Sequence, residues 1–259
     1  MNRVQACFEA AEAAAALLRE MRGTVRADYK DLARGSTLDP VTQADKDAEA
    51  LLRRELLGHF PGDGFLGEEG APESSRSGWL WVADPLDGTL NFAHGGGHAA
   101  VSLALLKDGE PVAAAIVPVV GEATHAERGG GSYRAGKRLA ASPVRHLGEA
   151  LGATDLPYDL KVRHGSARAR FIALSEACQS VRILGSAALE LVAVAAGELD
   201  LYANEGCKAW DVCAGALILQ EAQGRLTAAD GGRLDLLAPG AFLASNGVLH
   251  PAALRCLGD

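Results

Sequence analysis

The run Trp81-Val82-Ala83-Asp84-Pro85-Leu86-Asp87-Gly88-Thr89-Leu90-Asn91-Phe92 constrains the chain more than any other segment. Its first part, with Trp79 and Leu80, is a short apolar stretch of the kind that forms a buried strand. Asp84-Pro85 stops it: proline fixes its own φ and pushes the preceding residue into extended backbone. Gly88 lets the main chain approach another group closely, and a helix opened by Thr89 presents unpaired N–H groups to an anion. A strand delivering Asp84 and Asp87 to one sharp turn aims two carboxylates at one place. They repel unless a cation lies between them, and hard cations such as magnesium take carboxylate, water and phosphate oxygens. A turn held by aspartate side chains is the plainer alternative. The strand before and the Gly-Thr pair after favour a metal.

Around this run the hydrophobic period predicts the elements. Residues 2–22 read as an amphipathic helix with Val4, Phe8, Ala11, Ala15 and Leu18 on one face, stopped by Gly23. Residues 24–41 read as loop or irregular strand, with Arg34 as a candidate for a flap over the site. A second helix starts near Thr42 and ends at Pro61-Gly62. The apolar runs 99–106 and 112–119 flank the hairpin signal Lys107-Asp108-Gly109-Glu110, and 123–140 adds strand-like pieces. Beyond a boundary at 143–165, helices at 166–179, 186–196, 210–222 and from 249 alternate with strands at 181–184, 199–203, 225–228 and 241–244. The expected fold class is α/β in layers, with an antiparallel N-terminal sheet, a mixed C-terminal sheet and helices on their faces. The expected lobes are 1–142 and 143–259, packed as one unit.

Three more acidic motifs stand out, each with an ordinary structural explanation beside the chemical one. Gly67-Glu68-Glu69-Gly70 is a pair of acids in a loop, by itself compatible with an exposed turn. Asp211, in Trp210-Asp211-Val212-Cys213-Ala214-Gly215, opens an apolar helix, where an aspartate also suits the helix dipole. Asp45, three residues after Thr42, fits a capping box or an acceptor that orients a hydroxyl or water. His94 and His98 flank three glycines and read as incidental to that connection.

Composition narrows the function classes. A net charge of −8 argues against unspecific nucleic-acid binding but leaves room for an anionic substrate held through cations. The five cysteines include no CxxC pair and point to a reducing, cytoplasmic setting rather than a disulfide framework. No stretch has the length and apolarity of a membrane span.

Taken together, Val41-Thr42-Gln43-Ala44-Asp45, Gly67-Glu68-Glu69, the Trp81–Phe92 run and Trp210–Gly215 resemble, in order and spacing, the inositol monophosphatase family. That resemblance covers nearly the whole chain. It implies a layered αβαβα sandwich and magnesium-dependent, lithium-sensitive hydrolysis of a small phosphate monoester by a homodimer. Two or three ions are implied, with manganese as a substitute. Glu68, Asp84 and the Leu86 carbonyl are implied for one metal, and Asp84, Asp87 and Asp211 for another. Gly88 and Thr89 would hold phosphate. Glu68, with Asp45 and Thr89, would orient or deprotonate the attacking water. Gly185, Ser186, Ala187, Asn204, Glu205 and Lys208 fall in the substrate-selecting segments.

One departure bears on substrate. The family's inositol phosphatases carry an acidic residue seven positions before the WD aspartate, against the sugar-like hydroxyls; here it is Asn204. Asparagine accepts fewer strong hydrogen bonds than a carboxylate. Glu205 adjoins it, and Lys208 lies either toward a second anionic group or toward solvent. Related branches acting on histidinol phosphate, fructose bisphosphate, nucleotide 3′-phosphates or NADP are the enzymatic alternatives. A partner-binding protein that kept the fold is the non-enzymatic one; the intact acidic set speaks against it.

Overall fold

Alternation along β4 (Trp79–Asp87) would place Asp84 and Asp87, three residues apart, on opposite faces. The chain corrects this with a bulge: Asp84 pairs with Ser102 and Asp87 with Ala100 of β5 (Ala100–Lys107), so β4 uses one residue more than its neighbour. Pro85, which has no N–H for the ladder, lies inside the bulge. The computed structural model describes residues 1–25, 28–30, 39–156 and 165–258. Arg34 lies outside the described residues.

β4 and β5 are central in a sheet that continues into β6 (Glu110–Pro118), β7 (Thr124–Glu127), β8 (Gly131–Arg134) and β9 (Lys137–Arg138), each antiparallel to the last. The β5–β6 turn is Asp108-Gly109, both at positive φ, as the sequence predicts. On the other side of β4 lies β3 (Gly64–Gly67), in parallel. This is a correction: the sheet is not wholly antiparallel, and the segment before Glu68 is a strand. Two glycines around Phe65-Leu66 mask it, and its pairing comes entirely from β4.

The outer face carries α1 (Arg3–Met21) and α2 (Gln43–His59). Ala6, Ala10, Ala11, Ala14, Ala15 and Leu18 of α1 are buried; such small residues let the helix lie close to the sheet. The Asn2 side chain caps α1 by accepting the Gln5 N–H at 2.8 Å. A short antiparallel pair, β1 (Asp28–Lys30) and β2 (Asp39–Val41), precedes α2.

The second sheet, in the order β11-β10-β12-β14-β13, is mixed. β10 (Leu151–Thr154) runs parallel to both β11 (Ser180–Arg182) and β12 (Leu201–Asn204). β14 (Phe242–Ser245) pairs antiparallel with β12 and with β13 (Arg225–Ala228). β10 replaces what the sequence suggests is a connecting stretch. Its Leu-Gly-Ala-Thr is too small and short to announce a strand, and its partners lie far along the chain.

Between the sheets pack α5 (Ala187–Ala195) and α6 (Ala209–Glu221), whose apolar residues share one core with Val82, Ala100, Ala104 and Tyr202. Outside the second sheet lie α4 (Gly165–Ala177) and α7 (His250–Gly258). Leu174, Leu201, Leu243 and Ala253 form the core beneath them. The layers are therefore helix, sheet, helix, sheet, helix. Among the described residues no helix is long and apolar enough to cross a membrane, and none of the five cysteines is disulfide-bonded.

His250, at the start of α7, gives this half a pH signature. It is fully buried, with Nε2 2.9 Å from Thr227 Oγ1 and Nδ1 2.8 Å from Ser245 Oγ. Burial, with a smaller contribution from Arg225, lowers its pKa to about 4. The unfolded chain therefore takes up a proton near pH 6.5 that the folded chain refuses until about pH 4. Stability contributed by the neutral ring is present above pH 6.5 and is lost as pH falls, by about 2–3 kcal/mol when complete. Thermal midpoints measured between pH 7 and 4 should fall less steeply in His250→Asn than in the wild type; parallel profiles would contradict this.

Candidate active site

The bulge turns Asp84 and Asp87 toward the seam between the sheets. Asp84 accepts the Leu86 N–H on Oδ1 at 2.9 Å. Burial first, then the charges of Glu68, Asp87 and Asp211, holds its carboxyl well above the usual range. Asp87 accepts Ser186 Oγ–H at 2.5 Å and Ala188 N–H at 2.8 Å on Oδ2. Burial and Asp211 push it up to about 7. These two bonds tie the turn after β4 to the N-terminal end of α5, bringing Ser186 and Ala187 to the site. Asn91 adds a stitch, its Nδ2 donating to the carbonyls of His98 (2.9 Å) and Leu184 (2.8 Å) and more weakly to that of Gly185 (3.4 Å).

Gly88 follows at φ +87°, and a short helix, α3 (Thr89–Ala93), begins behind it. A Cβ on Gly88 would lie 2.7 Å from the His98 carbonyl oxygen, so a side chain there is excluded by space as well as by dihedral angle. Thr89 Oγ1 lies 2.9 Å from the Leu86 carbonyl and 3.1 Å from Asp45 Oδ1, so it has an acceptor on each side. Asp45 is also the capping-box residue of α2: its Oδ2 accepts the Thr42 N–H at 2.8 Å and hydroxyl at 2.5 Å. Asp45 therefore caps α2 and also lies within hydrogen-bond distance of the Thr89 hydroxyl. Its carboxyl is raised by burial, against the opposing pull of these hydrogen bonds.

Glu68 and Glu69 sit on the loop leaving β3, clamped from α2. Glu49, itself buried, accepts the Glu69 N–H at 2.8 Å and Arg53 Nε–H at 2.9 Å. Arg53 also donates to the Ala71 carbonyl at 3.0 Å. Glu49 and Arg53 are absent from the sequence expectations. The signal was available: Asp45, Glu49 and Arg53 recur at four-residue steps on one helical face.

Asp211 comes from the first turn of α6, its Oδ2 accepting the Lys208 N–H at 2.7 Å. Its charge is felt by Asp84 and Asp87. Trp210 packs against the central core and its carbonyl accepts Ser102 Oγ–H at 3.0 Å, an anchoring role. Lys208 is exposed. Glu205 is turned to Ser166 Oγ (2.6 Å) and Arg170 (3.3 Å). Asn204 is buried at the end of β12. Asp155, just after β10, and Glu190 on α5 complete the acidic set, and no motif marked either.

Glu68, Asp84, Asp87 and Asp211 thus occupy one electrostatic neighbourhood in which burial and mutual repulsion dominate. Among the described residues no three such side chains close on one point as a finished cage. Magnesium, which keeps several waters and takes only one or two carboxylates, suits an open set of hard oxygen donors. The donor chemistry therefore fits a divalent cation.

The profile of the Inositol monophosphatase family matches residues 2–258. An inositol-1-monophosphatase from Caulobacter vibrioides is 40% identical over 223 residues, 85% of this chain and 87% of that one. A fructose-1,6-bisphosphatase/inositol-1-monophosphatase from Thermotoga maritima is 32% identical over 85% of this chain and 83% of its own. The solved inositol monophosphatase from Anabaena superposes with a TM-score of 0.87 at 34% identity, covering 98% of this chain and 94% of that one.

Proposed function

The chain belongs to the inositol monophosphatase family, hydrolases of phosphoric monoesters that need a divalent metal, and on that premise we propose that it dephosphorylates a small polyol phosphate, inositol 1-phosphate foremost. The observation that carries this reading is the bulge that turns Asp84 and Asp87 to one side, within electrostatic reach of Asp211 and Glu68.

Glu68, Asp84, the Leu86 carbonyl, Asp87 and Asp211 would hold the cation. Magnesium is proposed, with two or three ions per subunit and manganese as substitute. When bound, such an ion neutralises phosphate oxygens and lowers the pKa of water. The protein's own part is binding and proton handling. The main-chain N–H groups of Gly88 and Thr89 bind the phosphate. Thr89 Oγ1 relays a proton from the attacking water to Asp45 Oδ1, whose raised pKa suits it to take one. Glu68, steadied through Glu49, orients that water. Gly185, Ser186 and Ala187 wall the alcohol side. Residues 1–142 and 143–259 act as one unit, because Ser186 and Asp211 complete a site begun by Asp84 and Asp87. The proposal extends to lithium inhibition and to a cytoplasmic homodimer; five cysteines with no disulfide among them support a reducing compartment.

The test is phosphate release from inositol 1-phosphate, glycerol 2-phosphate, histidinol phosphate, fructose 1,6-bisphosphate, adenosine 3′,5′-bisphosphate and NADP. Inositol 1-phosphate should be the best substrate, with at least about a hundredfold loss in EDTA that magnesium restores. Release undiminished by EDTA would refute the metal assignment.

A further inference from the structure

Gly67-Glu68-Glu69-Gly70 is a seat as well as a loop. Glu49, on α2 one turn after Asp45, is only 3% exposed. A Cβ on Gly67 would collide with its Oε2, and one on Gly70 would lie 2.6 Å from its Oε1. The two glycines are bare because the Glu49 carboxylate fills the space their side chains would take.

What that carboxylate holds is specific. Oε2 accepts the Glu69 N–H at 2.8 Å. This N–H belongs to the same planar peptide unit as the Glu68 carbonyl, so fixing it fixes the rotation about the Glu68 Cα–C bond. Oε1 accepts Arg53 Nε–H at 2.9 Å. Arg53, one turn further along α2, donates to the Ala71 carbonyl and the Glu73 carboxylate, each at 3.0 Å. Its guanidinium also lies 4.4 Å from the centre of the Phe65 ring on β3. Glu49 and Arg53 thus grip the loop at residues 69, 71 and 73 and the strand before it. Their charges cancel, so a buried carboxylate beside Glu68 and Glu69 adds no net charge there.

We propose that Glu49, with Arg53, is a positioning residue for the cation held through Glu68: the pair sets how tightly that ion binds and has no part in holding the phosphate or the alcohol. The inference rests on the metal-dependent phosphomonoesterase reading and deepens it. Asp84 and Asp87 are carried by β4 and Asp211 by α6, whereas Glu68 stands on a loop beyond the end of β3. A loop left free must be ordered at the moment the ion binds, which costs affinity, and one ordered in advance by α2 avoids that cost.

The experiment titrates magnesium into metal-free protein by calorimetry. In parallel it measures the magnesium concentration that half-activates phosphate release from inositol 1-phosphate. Glu49→Ala should raise the half-activating concentration tenfold or more and weaken calorimetric binding in the same sense. KM for inositol 1-phosphate at saturating magnesium should stay within twofold. Glu49→Gln, which keeps an acceptor for the Glu69 N–H, should recover at least threefold of the loss. Gly70→Ala, whose Cβ would displace the Glu49 carboxylate, should weaken magnesium in the wild-type background and add nothing in Glu49→Ala. It carries the test if circular dichroism shows Glu49→Ala unfolded. Magnesium affinity unchanged within twofold in a folded variant overturns the inference. So does a rise in KM for the ester as large as the rise for magnesium, a Glu49→Gln no better than Glu49→Ala, or additive losses in the double variant. Each of these leaves the phosphatase reading standing. Wild-type protein that takes up no magnesium and releases no phosphate overturns that reading and the inference with it.

Discussion

Asp87→Asn is expected to abolish turnover while making the metal-free protein more stable. Activity should drop by roughly three orders of magnitude, because a neutral amide replaces one of the few carboxylates available to the cation. The fold should survive: an asparagine oxygen can still accept from Ser186 Oγ and the Ala188 N–H. The stability change has a definite sign. Burial and Asp211 push the Asp87 carboxyl up to about 7 in the folded protein, against about 3.8 unfolded. A raised carboxyl favours the fold most below its unfolded pKa, and that contribution is lost as pH rises through about 7. At pH 8 the wild type has lost it, and the variant should gain roughly 2–4 kcal/mol in EDTA. At pH 4 the two should melt alike. Magnesium should reverse the order at pH 8 by stabilising only the wild type strongly. Full activity in the variant, or equal melting at pH 8 without metal, would contradict the assignment of Asp87 as a metal ligand kept ionised at the expense of stability.

Gly88→Ala should be nearly as damaging with a change of one methyl group. Position 88 sits at φ +87°, where an L-residue costs about 1–2 kcal/mol. The added Cβ would also lie 2.7 Å from the His98 carbonyl oxygen and 3.1 Å from Ala99 Cα, both main-chain atoms that cannot swing aside. The turn must open, carrying the Gly88 and Thr89 N–H groups and the Thr89 hydroxyl away from Asp45. The expected outcome is about 2–4 kcal/mol of lost stability and a hundredfold or greater fall in kcat. Denaturant unfolding and initial-rate kinetics measure the two separately. A folded variant with normal kcat would show that phosphate is not held at this turn.

These two positions mark where sequence reading reached. The Trp81–Phe92 run carried its chemistry openly, because proline, glycine and paired aspartates each have few conformational roles. The helices at α1, α2, α5 and α6 were legible from their period, and Thr42 with Asp45 announced a cap. Two strands were not. β3 and β10 are short and glycine-bearing, and they exist only because β4, β11 and β12 pair with them across the chain.

The site divides the same way. Residue identity and local spacing determined the set of acids, the turn that carries two of them, and the glycine that follows it at positive φ. Tertiary structure alone decided that Asp84 and Asp87 face one way, since the bulge against β5 cancels the alternation their spacing implies. It alone decided that Glu49 clamps the Glu68 loop and that Ser186 reaches Asp87. The physical reason is common to all three. A side chain's direction depends on which strand lies beside it, and strand neighbours are chosen by contacts far apart in the chain.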